Sequence, residues 1–405
     1  MSTNQKSLAV PMIIIGSMFA VLGFALGINA FFVPFVKEAF HLSTAMSYLI
    51  MTATFFSFVV FGIPSGMIIK KIGYRRGMVV AFLLMAAGCF LIAPAASIIS
   101  FPLFLFALFV SGMGQALLTG AVNTYVTILG SVESAAKRIS IMGICNKFSY
   151  AGASFILAWF LDLSDVRIKD TIAPFYLITG ILIIIGILSY FAPLPEIKAE
   201  GEDQNDDNSP VSTYAGSKTS IFQFPHLLLG TVALFLDMGL ETIALGTIND
   251  YATILNLPTP ESYVWFTSLG MVMGYLLGVA FIPKILSQNT ALVLCTILGV
   301  VTTISIALVP AGISIYLVAV LGLANSLLWP AIWPLAIADL GKYTQIGSSF
   351  LVMGMIGGAI LPLIFGFIAD TSSYPMAYFV CIPAYLFILH FGTSGSKIRT
   401  NYSAN

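Results

Sequence analysis

The sequence predicts an all-α membrane protein, twelve transmembrane helices in two pseudo-symmetric six-helix bundles, and three observations predict it. Only 8% of its residues are charged and 59% are hydrophobic, with a mean hydropathy of +0.99, whereas a soluble domain carries about 25% charge. Twelve apolar runs are long enough to cross a hydrocarbon core of about 30 Å. One polar, acidic stretch, EIKAEGEDQNDDNSP, divides the runs six and six.

The first six runs are Ala9 to Val36, Thr44 to Ile69, Met78 to Ala96, Pro102 to Leu129, Ile139 to Leu161 and Thr171 to Phe191. The second six are His226 to Leu255, Glu261 to Ile282, Thr290 to Val309, Ile313 to Ala338, Gly347 to Ala369 and Pro375 to Phe391. Helix punctuation supports their ends. Ser43 is placed to cap the second run, Pro102 falls in a first turn, and Thr259-Pro260-Glu261 reads as a helix start. The expected units are therefore a bundle over 1–193, a solvated linker over 194–219 and a second bundle over 220–405. The N-terminal run is too long for a signal-peptide core and lacks a small-residue cleavage site, so it reads as a retained first span.

Basic residues orient the chain. With the N-terminus inside, thirteen lysines and arginines fall in inside segments, and only Lys37, Arg167 and Lys169 fall outside. This positive-inside bias predicts that both termini and the linker are cytoplasmic. Lys147 lies within the fifth span.

Several function classes are excluded. The formal net charge is zero and no polybasic tract is present, so nothing invites a nucleic acid. Cys89, Cys145, Cys295 and Cys381 sit in apolar runs without metal-ligand spacing and read as packing residues. His41, His226 and His390 form no cluster. With no phosphate-binding loop, GxSxG, HExxH or cysteine metal site, catalysis has no residues to rest on, and neither an enzyme nor a cofactor is expected.

Candidate functional residues follow from the cost of polarity inside a bilayer. Asp237 and Glu241 lie one turn apart on the same face of the seventh span. Each carboxylate at that depth costs about 2.5–3.5 kcal/mol even on a lenient scale, so the pair demands a cation, a proton or a polar cavity. One or both bind H⁺ or Na⁺, or else they form a buried ion pair with Lys147 that only locks the structure. Lys147 lies about 12 Å from the cytoplasmic end of its span. It either snorkels back to the interface or serves as a fixed counter-charge to the acids. Asn249 and Asp250, near the outer helix end, are easily solvated and read as structural.

Asn29, Gln115, Asn123, Asn146 and Asn325 are intramembrane amides, able to bind a polyhydroxylated substrate or to join helices by hydrogen bonds. Trp329-Pro330 and Trp333-Pro334 interrupt the tenth span, because proline removes a backbone hydrogen bond and kinks a helix. Trp159 and Trp265 fit an interfacial belt. Gly354, Gly357 and Gly358 offer a surface for close helix approach. The two halves also echo each other: Leu129-Gly130 is followed thirteen residues on by Gly143, and Leu340-Gly341 by Gly354.

Four stretches resemble the major facilitator superfamily and, within it, the fucose/glucose/galactose permease-like sugar symporters. They are NAFFVPFVKEAFHLS (Asn29 to Ser43), GIPSGMIIKKIGYRRG (Gly62 to Gly77), NTYVTILGSVESAAKRISIMGICNK (Asn123 to Lys147) and GSSFLVMGMIGGAILP (Gly347 to Pro362). The resemblance covers nearly all twelve spans and implies the major facilitator fold, with a central cavity and alternating access. The basic loop that includes Lys70, Lys71 and Arg75 resembles a structural and gating motif, with Lys70-Lys71 where most members have Asp-Arg. Two acids usual among fucose-permease-like members are missing, since Ala30 and Thr119 stand in their places.

The resemblance implies a monosaccharide, a hexose or deoxyhexose, as substrate, imported by cation symport with H⁺ favoured and Na⁺ possible at Asp237 and Glu241. Asn29, Asn123, Asn146, Glu241, Trp329, Gln115 and Asn325 are then substrate candidates. Glu241, Asp237 and Lys147 are candidates for coupling, and Lys70, Lys71, Arg75, Gly357, Pro330 and Pro334 for gating or structure. The implied setting is a bacterial-type cytoplasmic membrane, with a monomer in the lipid bilayer. A proton-coupled exporter of drugs or metabolites and a non-transporting receptor are the alternatives.

Overall fold

The computed structural model describes residues 5–42, 46, 49–160, 167–198, 213–216 and 218–399. All regular elements among these are helical. The first half of the chain holds α1 (Gln5–Ala39), α4 (Phe101–Ile128), α5 (Ala135–Ala158), α6 (Ile172–Phe191) and the stretch Leu49–Ser97. Gly73 breaks that stretch into α2 and α3 with φ 81° and ψ 167°, a conformation that only glycine adopts without strain. The second half holds α7 (Pro225–Ile254), α8 (Val264–Phe281) and α9 (Gln288–Leu308). After these come α10a (Ala311–Asn325), α10b (Leu328–Ile337), α11a (Thr344–Gly354), α11b (Gly357–Thr371) and α12 (Cys381–Thr393).

Among the described residues ten stretches are long and apolar enough to cross a membrane, and Leu49–Ser97, with its two helices, counts once among them. Helix α5, which carries Lys137, Arg138 and Lys147, completes the twelve that the sequence predicts.

The chain forms two compact units, Met1–Tyr125 with Cys145–Ile197, and Val126–Ile144 with Lys198–Asn405. The turn between α4 and α5 thus packs with the second unit. Within that unit the Ala136 N–H donates to Gln288 Oε1 at 3.4 Å. Arg138 ties the turn together by donating to the carbonyls of Val126 (2.8 Å), Thr127 (2.7 Å) and Ser131 (3.0 Å). These include carbonyls at the end of α4 that no further helical turn can satisfy.

Three sequence expectations need adjustment. The Thr259-Pro260-Glu261 signal opens a 3₁₀ turn, with Thr259 left-handed at φ 49°. Helix α8 begins at Val264, whose N–H is taken by Asn249 Oδ1 at 2.8 Å. The polar stretch expected to be solvated from residue 194 is packed at both ends. Leu194 is buried and the Pro195 carbonyl accepts from Tyr125 at 2.9 Å, while Tyr214 is buried against Phe224 and His226. Local apolar and aromatic residues override the acidic average there. Residues 199–212 lie outside the described residues, as does Ser43.

The tenth span breaks at Ser326–Leu327, four and three residues before Pro330. A proline at 330 cannot donate to the carbonyl of Ser326 and its ring crowds that group. The Ser326 N–H therefore turns to Leu323 at 3.3 Å with 3₁₀ spacing. In the eleventh span Met355 and Ile356 make similar i−3 bonds. Gly357 follows them, and a Cβ there would stand 1.8 Å from the Phe235 carbonyl oxygen. Glycine is what lets α11b approach the α7 backbone so closely.

Candidate transport site

Helix α7 is the hub of the second unit, packing against α8, both segments of α10, both segments of α11, and α12. It opens on Pro225 in its first turn, where the absent N–H is no loss. Thr231, Thr242 and Thr247 donate their hydroxyls to carbonyls four residues back at 3.0, 2.8 and 2.7 Å. The helix therefore carries polar residues while satisfying them internally, as a bilayer requires.

Asp237 and Glu241 project from this hub. Asp237 is 1% exposed and Glu241 is half-buried. Leu245, one turn beyond Glu241 on the same helix, packs in a buried cluster with Met271 and Tyr275 of α8 and with Leu327 at the α10 break, and Cys295 of α9 lies against that cluster. Tyr385 donates to Asn325 Oδ1 at 2.6 Å, and the backbone N–H of Leu327, at the break in α10, donates to the Cys295 sulfur. The second unit thus gathers two acids, two phenols, a thiol, an amide and a helix break in the neighbourhood of one span. Tyr275, Cys295 and Tyr385 were not legible as site residues, because an aromatic or cysteine in an apolar run reads as packing. Their only signal is that a buried phenol needs a hydrogen-bond partner.

Trp329 is half-buried, with its ring 5.3 Å from that of fully buried Trp333. Trp159 and Trp265 are 82% and 46% exposed, as residues on a lipid-facing surface would be.

In the first unit the polar groups are amides and hydroxyls. Asn29 Nδ2 donates to Thr54 Oγ1 at 3.2 Å, Asn123 Nδ2 to the Thr119 carbonyl at 2.9 Å, and Asn146 Nδ2 to the Phe19 carbonyl at 3.2 Å. Gln115 Nε2 lies 3.5 Å from Ser111 Oγ. Together Ser111, Gln115, Thr119 and Asn123 make a ladder with a four-residue step along α4, each of them buried. Gln115 Oε1 in this unit and Asn325 Nδ2 in the other are buried without a hydrogen-bond partner among the described residues. Lys147 is also buried, at 8% exposure, with Nζ 6.0 Å from the Tyr150 ring centroid.

The basic loop finds a carbonyl partner in the same unit. Arg75 donates to the Tyr190 carbonyl near the end of α6 and lies over the Tyr190 ring at 5.8 Å, a C-terminal position that favours a cation. Lys70 and Lys71 are exposed. Among the described residues no cluster of His, Cys, Asp and Glu could hold a metal ion.

Comparison with known proteins bears on this architecture. The glucose/galactose transporter of Brucella abortus (biovar 1, strain 9-941) is 29% identical over 98% of this chain and 96% of its own length. The L-fucose-proton symporter of Escherichia coli K12 is 24% identical over 98% and 96%. Among solved structures, a major facilitator transporter captured in the outward conformation superposes with a TM-score of 0.81 at 22% identity, covering 95% of this chain and 98% of that one. A proton:xylose symporter superposes at 0.73 with 13% identity, covering 94% of each chain. The sequence model of the Major Facilitator Superfamily matches residues 13–362, most of the chain and all but the end of its helical array, and the protein belongs to that superfamily.

Proposed function

We propose that the protein is a secondary active transporter that imports a monosaccharide, a hexose or deoxyhexose, by cation symport and alternating access, with H⁺ as the favoured cation. The observation that carries this reading is a fully buried Asp237 one turn from Glu241 on the hub helix of its unit. A structure keeps intramembrane acids at such cost when they bind a cation or a proton. The full-length relatives transport glucose and galactose, or fucose with a proton, and those names supply the substrate class.

Glu241 is the coupling acid in this proposal. Its half-buried position leaves it open to ligand and cation, and its charge can be switched by binding either. Asp237 supports it electrostatically, and Lys147 is the next coupling candidate. Asn29, Asn123, Asn146, Gln115 and Asn325 offer donors and acceptors for sugar hydroxyls, and Trp329 offers a face for the C–H side of the pyranose ring. Gly357, Pro330 and Pro334 allow the tenth and eleventh helices to flex. Lys70, Lys71 and Arg75 hold the helix ends. Both termini face the cytoplasm of a bacterial-type inner membrane, as the basic residues indicate, and the monomer is the working unit.

The test is counterflow of labelled sugars in proteoliposomes, with H⁺ and Na⁺ gradients imposed separately. A hexose or deoxyhexose should exchange without a gradient and accumulate under one of the two. Failure of every such sugar to exchange would remove the proposal. Accumulation under Na⁺ alone would replace the cation.

A further inference from the structure

Asn325 is the last residue of α10a, and the break at Ser326–Leu327 follows it directly. Backbone that leaves a helix at membrane depth is tolerated where it is buried in protein or lines a cavity. The Asn325 side chain is 1% exposed, and its amide has an acceptor end, Oδ1, and a donor end, Nδ2. The two ends are treated differently.

Oδ1 accepts from the Tyr385 O–H at 2.6 Å, a bond between two buried side chains. Tyr385 comes from α12, which packs on α9, and its ring lies against Gly299 of α9, where a Cβ would overlap Cε1 and Cζ. No side chain fits at that position, so the bare backbone of α9 is what lets the phenol reach α10a. Nδ2, by contrast, is buried with no hydrogen-bond partner among the described residues. A buried donor left unmade costs about 1–3 kcal/mol, and such a group calls for a reason. Fastening α12 to α10a is not that reason, because a serine or threonine hydroxyl would accept the same bond without bringing an idle N–H₂. One end held and the other end waiting is the arrangement that an incoming oxygen requires.

Resting on the reading of this protein as a sugar transporter, we propose that Tyr385 is a positioning residue for substrate recognition: by holding Oδ1 it fixes the Asn325 amide so that Nδ2 meets a sugar oxygen as a donor only. The oxygen that accepts is a ring oxygen or a hydroxyl whose own hydrogen is directed elsewhere. Tyr385 itself does not touch the sugar. Without the phenol, the amide rotates between two orientations, and only one of them offers the donor.

The experiment uses the full-length protein in proteoliposomes with the sugar identified by counterflow. Wild type, Tyr385→Phe, Asn325→Leu and the double variant are compared for half-saturation and turnover of sugar exchange and for the cation dependence of accumulation. Tyr385→Phe keeps the ring beside Gly299 and should raise half-saturation by about five-fold, the scale of one neutral hydrogen bond, with turnover unchanged. The double variant replaces both partners by apolar groups of similar shape, a change that folding tolerates. It has no donor for the sugar and should raise half-saturation by about ten-fold or more. Cation dependence should stay that of the wild type throughout. Wild-type half-saturation in the double variant would overturn the proposal, since the bond would then serve only to fasten two helices. Lost affinity in the double variant with a wild-type value in Tyr385→Phe would leave Asn325 as a ligand and overturn the role of Tyr385. A shifted cation dependence at unchanged half-saturation would also overturn it, by moving the pair from recognition to coupling. If the wild type exchanges no hexose or deoxyhexose, the transport reading falls first and this inference falls with it.

Discussion

Helices α4 and α7 carry polar groups through the apolar interior of their respective units in opposite ways. Along α4 the ladder Ser111, Gln115, Thr119 and Asn123 is neutral, and its amides bond within the same helix. Along α7 the polar positions include two acids, Asp237 and Glu241, beside threonines bonded to their own helix. A neutral ladder can recognise hydroxyls but cannot change charge, whereas a carboxylate can do both. On the proposed reading, the difference gives recognition chiefly to the first unit and energy coupling to the second. It agrees with the absence of acids at positions 30 and 119.

The largest expected effect makes α7 neutral like α4. Glu241→Gln should reduce gradient-driven accumulation by about a hundred-fold or more, while leaving some exchange of sugar down its own gradient, because the amide keeps hydrogen bonds and loses the charge switch. Uptake with and without an imposed gradient measures this. Normal accumulation would erase the contrast between the two helices and make Lys147 the next residue to test.

A milder loss is expected at Asp237, the partner rather than the switch. Asp237→Asn should lower accumulation by about ten-fold or less. An effect equal to that of Glu241→Gln would mean that the pair acts as a single unit.

The neutral ladder should respond differently. Asn123→Ala should raise half-saturation for sugar exchange by about ten-fold, the cost of an unpaired hydroxyl in a site built for hydrogen bonds. Its cation dependence should remain that of the wild type. A shift in cation dependence instead would place coupling in α4 as well.

The smallest effect is expected away from both helices. Neutralising Lys71 and Arg75 together should slow turnover by about two- to five-fold with sugar half-saturation little changed, since Arg75 grips a backbone carbonyl at the end of α6 and such contacts set helix ends rather than substrate binding. Measuring rate and half-saturation in the same exchange assay separates the two. A large loss of affinity at unchanged rate would contradict this division.

Much of the architecture was determined by the sequence alone. Backbone groups in a bilayer must be satisfied within each segment, so twelve apolar runs could become little other than twelve helices. The same economy made Asp237 and Glu241 conspicuous, because no other carboxylates lie near mid-span. The break in the tenth span was legible too, since Pro330 has no N–H to give.

Only the tertiary structure decided which groups gather around the helix that carries those acids. Tyr275, Cys295 and Tyr385 lie on three different helices, and in each run they are apolar-looking residues among others. Nothing local distinguishes a phenol that packs from one that bonds to a group on another helix. The same holds for Gly143, whose spacing echoed Gly354 but whose close approach to the Tyr275 ring within the second unit no local pattern announces. The packed ends of the polar linker belong here as well, because composition averages over a stretch while burial acts on single residues such as Leu194 and Tyr214. Local sequence determines hydrogen bonding along one chain segment, and side-chain neighbours arise from how those segments cross.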